Sequence, residues 1–258
     1  RILVKAESEE KPCAWIEESI KKMNFSWVKL IPFSAGKNKK ENYDIKERVK
    51  TTYWQANAAV KEVSNKLALR NMAGVRKMKR VMHNMVKLAF EDESILLGAS
   101  TLRDYDDYTF SHSVNVAILA LCLGNYIGLS RKSLAYLSIC GMLHDLGKVE
   151  VPREILHKPD KLSIEEWESV RKHPVNSVKQ ILMLQASHEL KSKIMLGPFE
   201  HHLGFDLSGY PKTNFIQQVS LFGRILQIVD VYDAITSPRA YHRDTCSPPE
   251  ALSHLLAN

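Results

Sequence analysis

Residues 111–127 read Ser-His-Ser-Val-Asn-Val-Ala-Ile-Leu-Ala-Leu-Cys-Leu-Gly-Asn-Tyr-Ile, and residues 130–148 read Ser-Arg-Lys-Ser-Leu-Ala-Tyr-Leu-Ser-Ile-Cys-Gly-Met-Leu-His-Asp-Leu-Gly-Lys. Neither segment alternates polar and apolar residues as a half-buried strand would, and both are long and apolar enough to be buried helices. Gly128 and Gly147 stand where helix C-terminal caps belong, so helices are predicted over residues 112–127 and 130–146. Downstream, Ser163 with Glu166 forms a capping box that opens a helix ending near His173, where Pro174 suits the first turn of another. Residues 189–202 and the strongly apolar 217–235 complete the helical run, and residues 204–214 read as an extended loop.

Upstream, residues 43–90 are free of proline. They carry Val60, Val63 and Leu67, then Met72, Val75, Met78, Met82 and Met85, at helical spacing, which predicts one long helix or two joined near residues 71–74. No repeat is visible and no strand pattern competes, so the fold class is all-α: a helical bundle preceded by an amphipathic helical segment. The domain organisation reads as an N-terminal region of unassigned fold (1–40), an amphipathic linking or regulatory segment (41–100) and a helical domain (101–258). Because position 1 is Arg1 and the chain stops at Asn258 after an apolar stretch, it reads as a piece of a longer protein.

The net charge of +7 is uneven. Residues 1–100 hold 20 Lys and Arg against 12 Asp and Glu, whereas residues 101–258 hold 16 against 17. This separation argues against a nucleic-acid polymer as partner of the whole chain. The basic run Arg70, Arg76, Lys77, Lys79, Arg80 and Lys87 has no interleaved aromatic residues to stack on bases, and reads as a solvated face on a connecting or dimerising helix. A hydrophobic content of 45% with 25% charged residues excludes a wholly disordered chain. There is no apolar run of 18 residues, so no membrane span is predicted. Cys13, Cys122, Cys140 and Cys246 are widely separated; Cys122 and Cys140 read as core thiols, which fits a reducing cytoplasmic location.

The chemistry lies where polar groups interrupt apolar helices. His112, His144, Asp145, His173, His201, His202 and Asp230 do so, Asp230 among Ile228, Val229 and Val231. A buried carboxylate costs several kcal/mol unless a cation or a hydrogen bond compensates it. Metal ions account for all seven together, because imidazole and carboxylate without thiolate suit iron, manganese, nickel or zinc in open catalytic sites. Five imidazoles and two carboxylates exceed the needs of one ion, so two divalent ions are expected, with iron, manganese, nickel and zinc all open from the donor set. His83, His157, His188 and His254 read as surface residues. Asp233, one turn from Asp230, reads equally as an orienting partner of a ligand or as helix surface, and Asp206 as a turn stabiliser.

His144-Asp145 with Gly147-Lys148, and Gly209-Tyr210-Pro211, are similar to the two namesake motifs of the HD-GYP domain, a bacterial branch of the HD phosphohydrolases. The resemblance covers residues 101–253. It continues through the Val151–Leu156 run, Lys158-Pro159, Lys161-Leu162, His173-Pro174, His201-His202, Arg224-Ile225, Asp230-Val231-Tyr232-Asp233-Ala234 and Arg239, in the family's order. It implies a helical bundle that hydrolyses cyclic di-GMP to the linear dinucleotide pGpG or to GMP. By the same resemblance the seven residues above are its metal ligands, His144 and Asp145 being the catalytic dyad, and iron or manganese comes before nickel or zinc. Lys148 and Arg239 contact substrate phosphates, and Tyr210 borders the site.

Three departures follow from the same comparison. Tyr108 stands where members with a third ion carry Glu, so two ions are expected. Leu203 and Leu207 replace a Glu and a Gly of the His-His-Glu-x-x-Asp-Gly-x-Gly-Tyr-Pro run. Leucine takes positive φ only at a cost, so a reshaped loop is expected. His242 replaces a basic residue. The alternatives are a non-catalytic module binding cyclic di-GMP or a signalling protein at the Gly-Tyr-Pro loop, and a phosphohydrolase for another nucleotide. The amphipathic segment predicts homodimerisation through the N-terminal helices and transmission of a signal into the domain.

Overall fold

Eleven helices and one 3-10 turn follow one another along the described residues, which in this computed structural model are 39–102, 108–237 and 245–257. They are α1 (Lys39–Ala68), α2 (Arg76–Ala99), α3 (Tyr108–Tyr126), α4 (Arg131–Leu143), the 3-10 turn (Leu146–Glu150), α5 (Arg153–Leu156), α6 (Ile164–Val170), α7 (His173–Met183), α8 (His188–Ile194), α9 (Leu196–Glu200), α10 (Leu221–Thr236) and α11 (Pro248–Ala257). The only β pairings among the described residues are two isolated bridges, so the fold is all-α as expected. No helix among these residues is long and apolar enough to cross a membrane.

The chain divides into two compact units, Arg1–Lys46 and Glu47–Asn258. Of the first, only the opening turns of α1 are described; the region 1–38, with Cys13, lies outside the described residues. The second unit holds everything that follows.

The proline-free stretch forms two helices, parted at residues 69–75. On α1, Val49, Tyr53, Ala56, Val60, Val63 and Leu67 are buried and spaced alternately by four and three residues, the stripe a helix needs to bury one face. On α2, Met78, Met82 and Met85 are buried while Arg76, Lys77, Lys79, Arg80 and Lys87 are exposed, so the basic run is a solvated face. Lys77 pairs with Glu62 of α1. Asp92 interrupts α2 with non-helical dihedrals, and its Oδ1 accepts from Ile95 N at 3.3 Å, capping the last turns.

The core centres on α3 and α4, which pack along each other and against α2, α9 and α10. Val114, Ala117, Ile118 and Leu121 of α3 are fully buried, as are Leu134, Leu137 and Leu143 of α4, and Cys122 and Cys140 are core thiols as expected. Gly141 lets the two helices cross closely: a Cβ there would lie 2.6 Å from Ala117 Cα. Caps follow the sequence signals. Ser130, Ser163, Ser187 and Ser220 each accept a backbone N–H three residues on, Ser163 within a full capping box with Glu166.

Some boundaries differ from expectation. α4 ends at Leu143 rather than 146, and the chain continues as a 3-10 turn. The cause is a contact from α7. Ser177 Oγ accepts from Gly147 N and donates to His144 O, both at 2.8 Å, satisfying the two backbone groups that the break releases. The expected helix over residues 189–202 is two short ones, α8 and α9, and the expected helix from 217 begins at Leu221.

Candidate metal centre

Five helical segments deliver the side chains singled out in the sequence. His112 comes from the first turn of α3, His144 and Asp145 from the junction between α4 and the 3-10 turn, and His173 from the first residue of α7. His201 and His202 follow α9, and Asp230 lies on α10. The structure brings all seven together. His112, His144 and Asp145 form one group, His173, His201 and His202 a second, and His144, His201 and Asp230 a third, with ligand atoms in each within 4.8 Å of one another. Asp145 Oδ1 is 3.3 Å from His173 Nε2, and its Oδ2 is 3.3 Å from His144 Nε2. Asp230 Oδ1 is 3.0 Å from His112 Nε2 and 3.7 Å from His144 Nε2.

The orientation of the rings follows from their Nδ1 atoms. His144 donates Nδ1–H to Gly141 O, His173 to Val170 O and His201 to Pro198 O, each at 2.8 Å and each to the carbonyl three residues earlier. A carbonyl only accepts, so Nδ1 carries the proton and Nε2 is left with a lone pair when the ring is neutral. Burial holds His173 neutral, with its pKa lowered to about 3, and His202 likewise, to about 4; burial also pushes His201 well below the usual range. His112 differs. Burial opposes its charge, but hydrogen bonds to Asp230 and Asp233 outweigh that and raise its pKa to about 9 in the ion-free protein.

Asp233 thus takes the orienting role: it is buried, and its Oδ2 accepts from His112 Nδ1 at 2.7 Å. Burial works to raise Asp145 and Asp230, yet both are held well below the usual carboxylate range. Lys148 and His144 do this for Asp145, and the His112 hydrogen bond does it for Asp230.

Two observations test whether this set suits cations. His173 Nε2 and His201 Nε2 face each other at 3.2 Å although neither carries a proton, so two lone pairs are opposed. That spacing matches adjacent nitrogen ligands of one ion at bond lengths of about 2.0–2.1 Å. His144 Nε2 and Asp145 Oδ1 are buried without any hydrogen-bond partner, an arrangement that costs about 1–3 kcal/mol per group unless a cation supplies the missing contact. Together with a donor set of imidazole and carboxylate, both observations fit divalent ions.

Around this cluster, Lys148 reaches Asp145 Oδ2 at 2.6 Å. It does so from the 3-10 turn rather than from a continuing α-helix, because residues three apart eclipse in 3-10 geometry. Tyr210 lies against His202, ring centroids 4.6 Å apart, and burial, with Asp145 and Asp230 nearby, keeps its phenol protonated. Arg239 and His242 lie outside the described residues. Tyr108 stacks parallel to His112 at 5.9 Å.

Leu207 adopts φ 64°, so it takes the left-handed conformation itself. Leu207 N donates to Gly204 O at 2.9 Å, and Tyr210 N to His202 O at 3.1 Å, tying the loop back to the cluster. Leu203 is buried, Asp206 Oδ1 accepts from Ser208 N as a turn stabiliser, and His83, His157, His188 and His254 are exposed as expected.

The sequence reading missed three residues. Arg171 lies over the Tyr210 ring at 4.9 Å. Glu200, buried beside His201, accepts from Ser220 N at 2.9 Å and so ties α9 to the start of α10. Asn115, fully buried, donates to Asp233 Oδ1 at 3.2 Å. Its signal was present in the sequence, as a polar interruption of an apolar helix three residues after His112.

Comparison with known proteins agrees with this arrangement. The family described as HD domain matches residues 97–258. The cyclic di-GMP phosphodiesterase PA4108 of Pseudomonas aeruginosa is 38% identical over 148 residues, 57% of this chain and 35% of that protein. The 3'3'-cGAMP-specific phosphodiesterase 1 of Vibrio cholerae is 31% identical over 168 residues, 62% of this chain and 38% of that protein. The chain therefore spans little more than a third of the length of these relatives. Among solved structures, Bd1817, an HDG"Y"P protein from Bdellovibrio bacteriovorus, shares the fold with a TM-score of 0.64 at 15% identity, over 95% of this chain and 72% of that one. All seven converging side chains fall inside the matched segment and the residues around them carry the motifs of the HD-GYP branch: the chain belongs to the HD-domain family.

Proposed function

We propose that this chain is a divalent-metal-dependent phosphodiesterase that hydrolyses cyclic di-GMP, to pGpG or on to GMP. The observation that carries the reading is the meeting of unprotonated Nε2 atoms and two ionised carboxylates in a buried cluster with orphaned polar atoms. His112, His144, Asp145, His173, His201, His202 and Asp230 would hold two ions, iron or manganese. Bound there, such ions supply Lewis-acid polarisation of phosphoryl oxygens and a nucleophilic water near neutral pH.

The chain's own groups do the rest. The backbone carbonyls at Nδ1 of His144, His173 and His201 fix those rings' tautomer with the Nε2 lone pair inward, and the Asp233 carboxylate at Nδ1 of His112 turns its Nε2 the same way. Lys148, paired with Asp145 and partly exposed, would present its ammonium to a substrate phosphate; the family resemblance implies the same role for Arg239 at the other phosphate. Tyr210, a protonated phenol on the rim beside His202, donates a hydrogen bond or stacks on a base. Homodimerisation through the N-terminal helices, and docking of a signalling protein on the loop at 204–211, belong to the same proposal and are read out by light scattering and by pull-down with loop variants.

A second reading has its own support, because one of the relatives named above is 3'3'-cGAMP-specific. The test is turnover of both cyclic dinucleotides by the anaerobically purified, iron- or manganese-loaded chain, followed by chromatography beside His144→Ala and Asp145→Ala. Turnover in the parent and none in the variants supports catalysis, and the faster substrate decides between the two readings. Bound ions without turnover of either dinucleotide would overturn both.

A further inference from the structure

The geometry points to Tyr53, on α1 and upstream of the segment matched by the family, as a positioning residue for His112 that couples the N-terminal helix to ion binding. The path is continuous and buried. Tyr53 is 1% exposed, and its phenol proton is shared between Leu102 O at 2.7 Å and Asn115 Oδ1 at 3.2 Å. Asn115 Nδ2 donates to Asp233 Oδ1, and the other oxygen of that carboxylate accepts from His112 Nδ1.

Each link dictates the next. A carboxylate accepts only, so it must face the amide NH2 of Asn115; that turns the amide oxygen towards the Tyr53 hydroxyl, which donates to it. At the other end, Asp233 accepts a hydrogen bond from Nδ1–H of His112, which leaves Nε2 pointing at Asp230, 3.0 Å away. A parallel contact, Asn57 Nδ2 to Ser111 Oγ at 2.9 Å, ties the next turn of α1 to the residue before His112. Three other rings of the cluster, His144, His173 and His201, take their orientation from carbonyls three residues back. His112 takes its orientation from another helix, and through it from α1. Displacement of α1 therefore loosens Asn115, lets Asp233 rotate and weakens the hold of His112 on an ion.

This inference rests on the reading of His112 as a metal ligand, and its test does not use turnover. Manganese alone is titrated into the chelator-stripped full chain, with free ion followed by electron paramagnetic resonance. Asp233→Asn is expected to weaken the His112-dependent ion by about 10–100-fold, the usual range for partners that orient ligands. Tyr53→Phe, which keeps the ring, is expected to weaken it by about 3–10-fold, as befits a shared hydrogen bond two links further away. Because the residues act in series, the double variant should bind no more weakly than Asp233→Asn alone.

Asn115→Ala cuts the same path while leaving Tyr53 on Leu102, and must reproduce the loss. It also stands in for Tyr53→Phe if that variant fails to fold. Leu190→Ala, a buried change on α8, controls for lost stability. Unchanged affinity in Tyr53→Phe, a loss matched by Leu190→Ala, a loss in Tyr53→Phe but not in Asn115→Ala, or additive effects in the double variant would each overturn the coupling. A parent chain that takes up no manganese would instead remove the metal reading, and the coupling with it.

Discussion

A methyl group placed on Gly147 tests whether the junction of α4 with the 3-10 turn is what sets the cluster. Its φ is not positive, so alanine suits the backbone there and sterics alone decide the outcome. A Cβ would press on His173 O and Ser177 N and lie 2.8 Å from the Asn176 carbonyl carbon, whereas ordinary contact begins at 3.4 Å. All three neighbours are backbone atoms of α7, so no side chain can swing aside. α7 and the turn must separate by on the order of 1 Å, and misplacement of that size is enough to cost about 100-fold in a catalytic geometry.

The separation falls between Asp145, two residues before Gly147, and His173, whose facing atoms are now 3.3 Å apart. It also strains both hydrogen bonds of Ser177. Overpacking of this kind costs about 1–3 kcal/mol, or a fall in Tm of about 2–12 °C at this size. The matched control is Gly98→Ala, on an exposed helical site with nothing within 4 Å, which should gain about 0.5–1 kcal/mol. Thermal melting and manganese stoichiometry are measured on both. A Gly147→Ala protein that melts with the parent and binds the same ions would refute the argument that this close approach builds the site.

Three further outcomes are expected. In the ion-free protein His112 titrates near 9, above an unfolded value of about 6.5. Its contribution to stability is complete below about 6.5 and is lost as pH rises to 9, worth about 3 kcal/mol in urea melts. Metal uptake runs the other way, because His112 must give up that proton, so apparent affinity should rise with pH and level off above 9; a flat profile would mean His112 is not a ligand. Lys148→Met should lower kcat/KM for the cyclic dinucleotide by about 10–100-fold with ion stoichiometry unchanged, as loss of one charge-assisted hydrogen bond implies; unchanged kinetics would exclude Lys148 from substrate binding. Leu207→Gly should be more stable than Leu207→Ala by about 1 kcal/mol, since both lose the side chain but only alanine keeps the cost of φ 64°; equal melting temperatures would contradict it.

What the sequence made legible is what local chemistry dictates. The helices of the core, their serine caps and the seven polar interruptions could be read because each leaves a mark on its own segment, as Asp230 does among Ile228, Val229 and Val231. The end of α4 at Leu143 could not. Residues 144–146 hold no proline or glycine to mark a stop, and the break is made by Ser177, some thirty residues away, whose hydroxyl satisfies the groups the break exposes. Tyr53 was equally silent, because a tyrosine in a basic amphipathic helix has no local sign that its hydroxyl meets Asn115. Leu207 misled for the opposite reason: an intrinsic preference against positive φ was overridden by a loop clamped at Gly204 and His202.

The hydrogen bonds from three histidines to carbonyls three residues back bear on how such a site could be transplanted. A single turn of backbone ending in histidine carries its own means of protonating the correct nitrogen. A designer who wanted His144, His173 or His201 on a foreign scaffold would need to copy only four consecutive residues of conformation. His112 travels less easily. It would have to bring the carboxylate of Asp233 from a second helix, and the amide that steadies that carboxylate. Three of these imidazoles are thus portable pieces of chain, while the fourth is a property of the assembled bundle.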